Sequence, residues 1–185
     1  MLKNLGLRKK ILGGFILVTL LTVIVGAVGI IGTRQLKSEV DEIGLVNLPS
    51  VDALLSISES VALVAGYENA LLVPELSKEM RDDYLAKMEE ELSLIGTYMT
   101  NYESLSITVE EAALWTDVKP LYEKWAYDHK TYLSFESTYR NKVSQINYNN
   151  MVTQSLKTNA RSYGMLNKAL GELVELNKAN STISV

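Results

Sequence analysis

Residues 45–72 read LVNLPSVDALLSISESVALVAGYENALL. Alternating steps of three and four pick out Asn47, Ser50, Leu54, Ile57, Val61, Val64, Glu68 and Leu71. That spacing keeps all of them on one stripe of an α-helix, and a period of two fits none of it. Stepping backward adds Leu36, Val40 and Ile43 to the stripe. The register predicts one helix over 34–72, ended by Pro74, because the residue before a proline is pushed out of the helical region. Pro49 falls inside this helix. It brings no backbone donor and crowds the carbonyl of Leu45, which costs about 3 kcal/mol in a helix interior. A structural bend at Pro49 is expected, with a ligand-driven hinge as the alternative.

Three more seams follow. Leu85, Met88, Leu92, Ile95, Met99 and Tyr102 mark a helix over 77–104, with Ser77 as N-cap and Glu79, Asp82 and Asp83 at the positive end of its dipole. Thr108 and Glu111 have the spacing of a capping box, in which each side chain bonds the other's backbone donor. They open a helix over 108–138 with the seam Leu114, Val118, Leu121, Trp125, Asp128, Tyr132, Phe135 and Tyr139, and with a second expected bend at Pro120. A turn is placed within 138–145, where the pattern lapses. The last helix, 146–181, carries Val152, Leu156, Asn159, Tyr163, Leu166, Leu170, Leu173 and Asn177, and a polar, frayed tail. No strand pattern appears. Four helices with short connections predict an all-α, up-down-up-down antiparallel four-helix bundle.

Upstream, residues 11–33 read ILGGFILVTLLTVIVGAVGIIGT, with no charge. About 20 apolar residues span a bilayer as a helix. Lys3, Arg8, Lys9 and Lys10 form a basic leader over 1–10, which positive charge keeps in the cytoplasm. The remaining 14 basic and 22 acidic residues leave −8 on 34–185. The expected topology is a single-pass transmembrane helix in the bacterial inner membrane, continuous with the first bundle helix, with the bundle extracytoplasmic and the lipid bilayer as a partner. A signal peptide cleaved after Val25-Gly26-Ala27 is the rival reading, opposed by the apolar run continuing through Ile31. Gly26, Gly29 and Gly32 either let two spans approach closely or reflect the frequency of glycine in membrane helices. The chain has no cysteine and one histidine, so neither thiol chemistry nor a zinc site is expected. Net charge −4 argues against nucleic acid as a partner. No nucleophile–base pair stands out, so no enzyme activity, catalytic residue, cofactor or metal is expected.

The leader MLKNLGLRKKILGGF, followed by NLPSVDALL (47–55), LSITVEEAALW (105–115) and GELVELNKAN (171–180), resembles the N-terminal half of methyl-accepting chemotaxis proteins, with their four-helix-bundle sensor. The resemblance covers the whole chain and rests on the order and spacing of individually weak motifs. It implies an extracytoplasmic sensory domain of a chemotaxis receptor, a homodimer meeting along its first and fourth helices, and a small-molecule ligand or ligand-loaded binding protein. The family continues into a second membrane helix, a HAMP domain and a methylated coiled coil, none of which these residues contain. Family members that sense amino acids hold the ligand with arginines of the first helix. Here no arginine lies between Arg34 and Arg81, so that site is not carried over. The alternatives are the sensor of a histidine kinase or cyclic-nucleotide enzyme, or a membrane-anchored interaction bundle without ligand.

The candidate ligand-binding residues are Glu68, Arg81, Trp125 and Tyr132. Glu68 and Arg81 should lie at similar height, as a structural pair or as ligand contacts. Asp128 is expected either to be neutralised by Lys157 or to drift to the solvent edge. The aromatic stripe of Tyr122, Trp125, Tyr132, Phe135 and Tyr139 reads as core, or as the wall of an apolar pocket.

Overall fold

The computed structural model describes residues 7–183. Its elements are α1 (Leu7–Glu42), a π-helical turn (Ile43–Asn47), α2 (Leu48–Ala70), α3 (Lys78–Glu103), α4 (Val109–Asn141), α5 (Gln145–Thr153), a second π turn (Gln154–Asn159) and α6 (Ala160–Ile183). Residues 1–6 of the expected leader and 184–185 of the expected tail lie outside the described residues. The chain divides into two units, one ending at Ile43 and the other beginning at Gly44.

The first unit is the helix α1. Ile11, Leu12, Phe15, Val25 and Ile31 are all more than half exposed, and these positions fall on every side of the helix. A helix of a soluble domain would hide one apolar stripe and wet the other face. One apolar all round suits hydrocarbon, and α1 is long and apolar enough to cross a membrane. Thr19 and Thr22 return their hydroxyls to the carbonyls of Phe15 and Val18, each at 2.9 Å, so these polar groups are satisfied inside the helix.

The second unit is the four-helix bundle. Its helices are α2, α3, α4 and a composite fourth made of α5, the second π turn and α6. α2 packs on α3 and α6, and α4 packs on all three parts of the fourth helix. Leu54, Ile57, Val61, Val64, Met88, Ile95, Val118, Leu166, Leu170 and Leu173 form the dry middle of the core. Burying such side chains stabilises by about 1.5–3 kcal/mol each. The α2 seam from Asn47 to Leu71 is buried as the spacing requires. In α3, Met88, Ile95 and Tyr102 are buried while Leu85, Leu92 and Met99 are half-buried against them.

The seams of the last two helices depart from expectation. In α4 the buried positions are Glu111, Trp115, Val118, Trp125, His129, Tyr132, Glu136 and Tyr139, with Asp128 beside them. Three of the eight expected positions are therefore off the buried face. Leu114, Leu121 and Phe135 are only half-buried, while Trp115, His129 and Glu136 point inward. In the fourth helix Met151 and Ser155 are buried instead of Val152 and Leu156. The cause is the π turn over 154–159, which adds one residue to a helical turn and shifts the inward face upstream of Asn159 by one position.

Pro49, expected to bend the helix, sits in the first turn of α2 directly after the π turn Ile43–Asn47. The wider turn takes up the missing donor and the crowded Leu45 carbonyl. Pro120, the other expected bend, lies within α4, whose helix runs on both sides of it from Val109 to Asn141. Three side-chain caps close helix starts. Ser77 accepts from the Met80 amide and Ser144 from that of Asn147, both at 3.2 Å. Thr108 accepts from the Glu111 amide at 3.2 Å, and Glu111 Oε2 accepts from the Thr108 amide at 2.7 Å. The break after α4 is confined to 142–144, narrower than the expected turn, because Ser144 starts α5 at once.

Candidate functional site

A polar layer interrupts the apolar core near the end of α2. Glu68 is 2% exposed and sits on the inward stripe of α2 two residues before the helix stops. Its carboxylate meets His129 of α4, with Nδ1 2.6 Å from Oε1. Asn159, the last residue of the π turn, donates Nδ2 to both Glu68 oxygens at 2.8 Å. Tyr132 donates its hydroxyl to the Glu68 backbone carbonyl at 2.9 Å. Burial, then the nearby Glu68 and Glu136 carboxylates, hold the Tyr132 phenol well above its usual range, so it stays a neutral donor. Gln154 extends the layer, donating to Asn159 Oδ1 at 2.9 Å and to the Asp128 carbonyl at 3.1 Å. One carboxylate thus ties α2, α4 and the fourth helix together.

His129 is 2% exposed, and its ring stacks on Trp125 at 6.0 Å between centroids. Its Nε2 is buried with no hydrogen-bond partner among the described residues. The pair with Glu68 is ionic only when the ring carries both protons. The other buried carboxylates of α4 are served differently. Arg81 pairs with Glu136 at 3.4 Å, and Lys124 pairs with Asp128. Neither lysine nor arginine reaches Glu68 among the described residues.

Arg81 does not pair with Glu68, as expected from their similar height. Arg81 is 7% exposed, and its guanidinium donates to the carbonyls of Leu71 and Val73 at 3.2 and 3.3 Å while facing Glu136. The reason is local. The carbonyls of Leu71 and Val73 lie in the turn just past the end of α2, and the planar guanidinium takes both of them at once. Arg81 is therefore a clamp that fixes the α2–α3 turn to α4. Asp128 departs from expectation too. It is 3% exposed rather than at the solvent edge, and its partner is Lys124, one turn earlier on the same helix, rather than Lys157.

A cavity of about 260 Å³ opens beside the polar layer, lined by Glu68, Asn69, Trp125, Ser155, Asn159 and Tyr163 among others. Of the four candidate residues, Glu68 and Trp125 line this cavity, Tyr132 joins the layer through the Glu68 backbone carbonyl, and Arg81 stands apart. Trp125 is core and cavity wall together. His129, Asn159 and Gln154 complete the layer without having been singled out. Asn159 and Glu68 carried a signal, being polar residues on an otherwise apolar stripe. His129 did not, because Asp128 beside it fitted the assumed register. Among the described residues no group of three or more histidine, cysteine, aspartate or glutamate side chains is placed to hold a metal.

The described residues thus comprise one helix long and apolar enough to cross a membrane and a helical bundle with a buried polar layer. A model of the family described as the four helix bundle sensory module for signal transduction matches residues 4–184, and the chain belongs to that family, the sensor type of methyl-accepting chemotaxis proteins. No curated protein and no solved structure matches the chain.

Proposed function

We propose that this chain is the extracytoplasmic sensor of a chemotaxis-type receptor, held in the inner membrane by α1 with its N-terminus in the cytoplasm. The observation that carries the reading is that one family match takes in both the spanning helix and the whole bundle. The receptor acts as a homodimer. Leu48, Leu55 and Leu63 recur along one side of α2 and stand 60%, 51% and 38% exposed, an apolar strip suited to a second copy. A side chain added at Gly26, Gly29 or Gly32 would meet nothing within 4 Å beyond the adjoining residues and backbone of its own helix, which leaves that face of the span open to another helix.

The polar layer supplies the mechanism. A ligand, or a ligand-loaded binding protein, that favours one arrangement of α2, α4 and the fourth helix shifts the balance between arrangements by its difference in affinity for them. The π turn beside the layer lets α6 change register at small cost, because one turn already departs from α geometry. The test is a hybrid in which this chain precedes the second membrane helix, HAMP domain and signalling half of a chemotaxis receptor. Kinase output in membranes should change with one or more compounds of an attractant panel. Output fixed across the panel, with the hybrid correctly inserted, contradicts the reading.

A further inference from the structure

A second concavity lies on the other side of the fourth helix, between α4 and α6. It has a volume of about 500 Å³, within the range of small-ligand sites. Lys124 and Asp128 come from α4, and Lys157, Arg161, Ser162 and Met165 from the π turn and α6. Three cations thus surround one carboxylate, and Lys124 already serves that carboxylate. Lys157 and Arg161 are four residues apart on one helix face, where like charges repel. No carboxylate pairs with either of them among the described residues. The other surface cations of the bundle are mostly matched: Lys78, Lys87, Lys119, Arg140 and Lys168 each have a carboxylate partner within 4 Å. Residues 34–185 carry a net −8, so this positive cluster runs against the charge of its own domain.

We propose that this groove binds a small anion carrying two negative charges, and this deepens the sensor reading on which it rests. Lys157 and Arg161 would take the charged groups, the guanidinium offering a planar two-point donor. Asp128, 3% exposed, holds the Lys124 ammonium at the mouth, and Met165 supplies an apolar wall. Bound there, the anion would relieve repulsion on α6 and draw it toward α4. The connection to the polar layer is short. Gln154 bonds the Asp128 carbonyl and Asn159 together, and Asn159 holds Glu68. A dicarboxylate and a phosphate share this chemistry, and the experiment separates them.

The test uses the full chain in detergent micelles at fixed ionic strength, titrated calorimetrically with succinate, with inorganic phosphate and with acetate as the singly charged control. Saturable binding of succinate or phosphate, at least tenfold tighter than acetate, is expected. The variant Lys157→Gln/Arg161→Gln, both exposed residues, should lose at least tenfold of that affinity, while Lys168→Gln, which faces elsewhere and is already paired, should not. The dianion that binds identifies the source. Absence of saturable binding by both dianions, or unchanged affinity in the double variant, overturns the proposal. In the hybrid receptor, a response that survives Lys157→Gln/Arg161→Gln would also overturn the groove while leaving the sensor reading intact.

Discussion

Substituting His129 by leucine should destabilise the bundle by about 3–5 kcal/mol, because it strands a charge. Glu68 would keep only the neutral Asn159 amide, and its residue is 2% exposed, so water cannot replace the lost partner at 2.6 Å. Leucine approximates the lost volume and limits any cavity. Glu68→Leu strands the opposite groups, His129 Nδ1 and Asn159 Nδ2, at about 1–3 kcal/mol for each buried orphan. The double variant removes both ends of the same bond, so its cost should fall short of the sum by about 2 kcal/mol or more, the coupling expected of groups in direct contact. Urea unfolding of the full chain in micelles measures this through Trp115 and Trp125, which are 5% and 1% exposed. With a slope of about 2 kcal/mol/M, the midpoint of His129→Leu should fall by about 2 M. A fall below about 0.5 M, or additive single and double variants, would refute the claim that this pair organises the core.

The capping box and the clamp give independent predictions from the same melts. Thr108→Ala should cost about 0.5–2 kcal/mol, since both bonds of the box are present; an unchanged midpoint would remove the box from the account of α4. Arg81→Leu, which leaves the buried Glu136 only its longer 3.8 Å contact with Arg140, should cost about 3 kcal/mol or more, whereas Lys78→Ala, 82% exposed at the side chain, should cost at most about 1 kcal/mol. Equal costs would mean that Arg81 is no clamp. Pro49→Ala should stabilise by less than the roughly 3 kcal/mol of a helix-interior proline, because the π turn has already relieved the clash; a gain of that full size would show the turn to be unrelated to Pro49.

The helices were legible because periodicity is a local property. The stripe through Asn47, Leu54, Ile57, Val61, Val64 and Glu68 is buried as read, and Thr108 caps α4 where its spacing with Glu111 places it. The site was half legible. Glu68 stood out as a carboxylate on an apolar stripe, and its partner did not, for two physical reasons. Leu114 and Phe135 are apolar yet lie one position outside the true inward face of α4, so hydrophobicity favoured them over Trp115 and Glu136, while Asp128 held the stripe position beside His129. A π turn has no periodic signature, so the one-residue shift at 154–159 was invisible from Val152 and Leu156. Pairings such as Glu68 with His129, 61 residues apart, depend on which polar groups meet at one height, and the spacing within a single helix does not encode that.

The placement of the bundle outside the membrane is tested most directly by thiol labelling, which the cysteine-free sequence makes clean. A single cysteine at Tyr127, 68% exposed on α4, is treated with a membrane-impermeant maleimide in intact spheroplasts, beside a second protein with its single cysteine at Lys3. Tyr127→Cys should label fully without permeabilisation, and Lys3→Cys only after it. Protection of Tyr127→Cys until the membrane is opened, with Lys3→Cys labelled from outside, would contradict an outward-facing sensor.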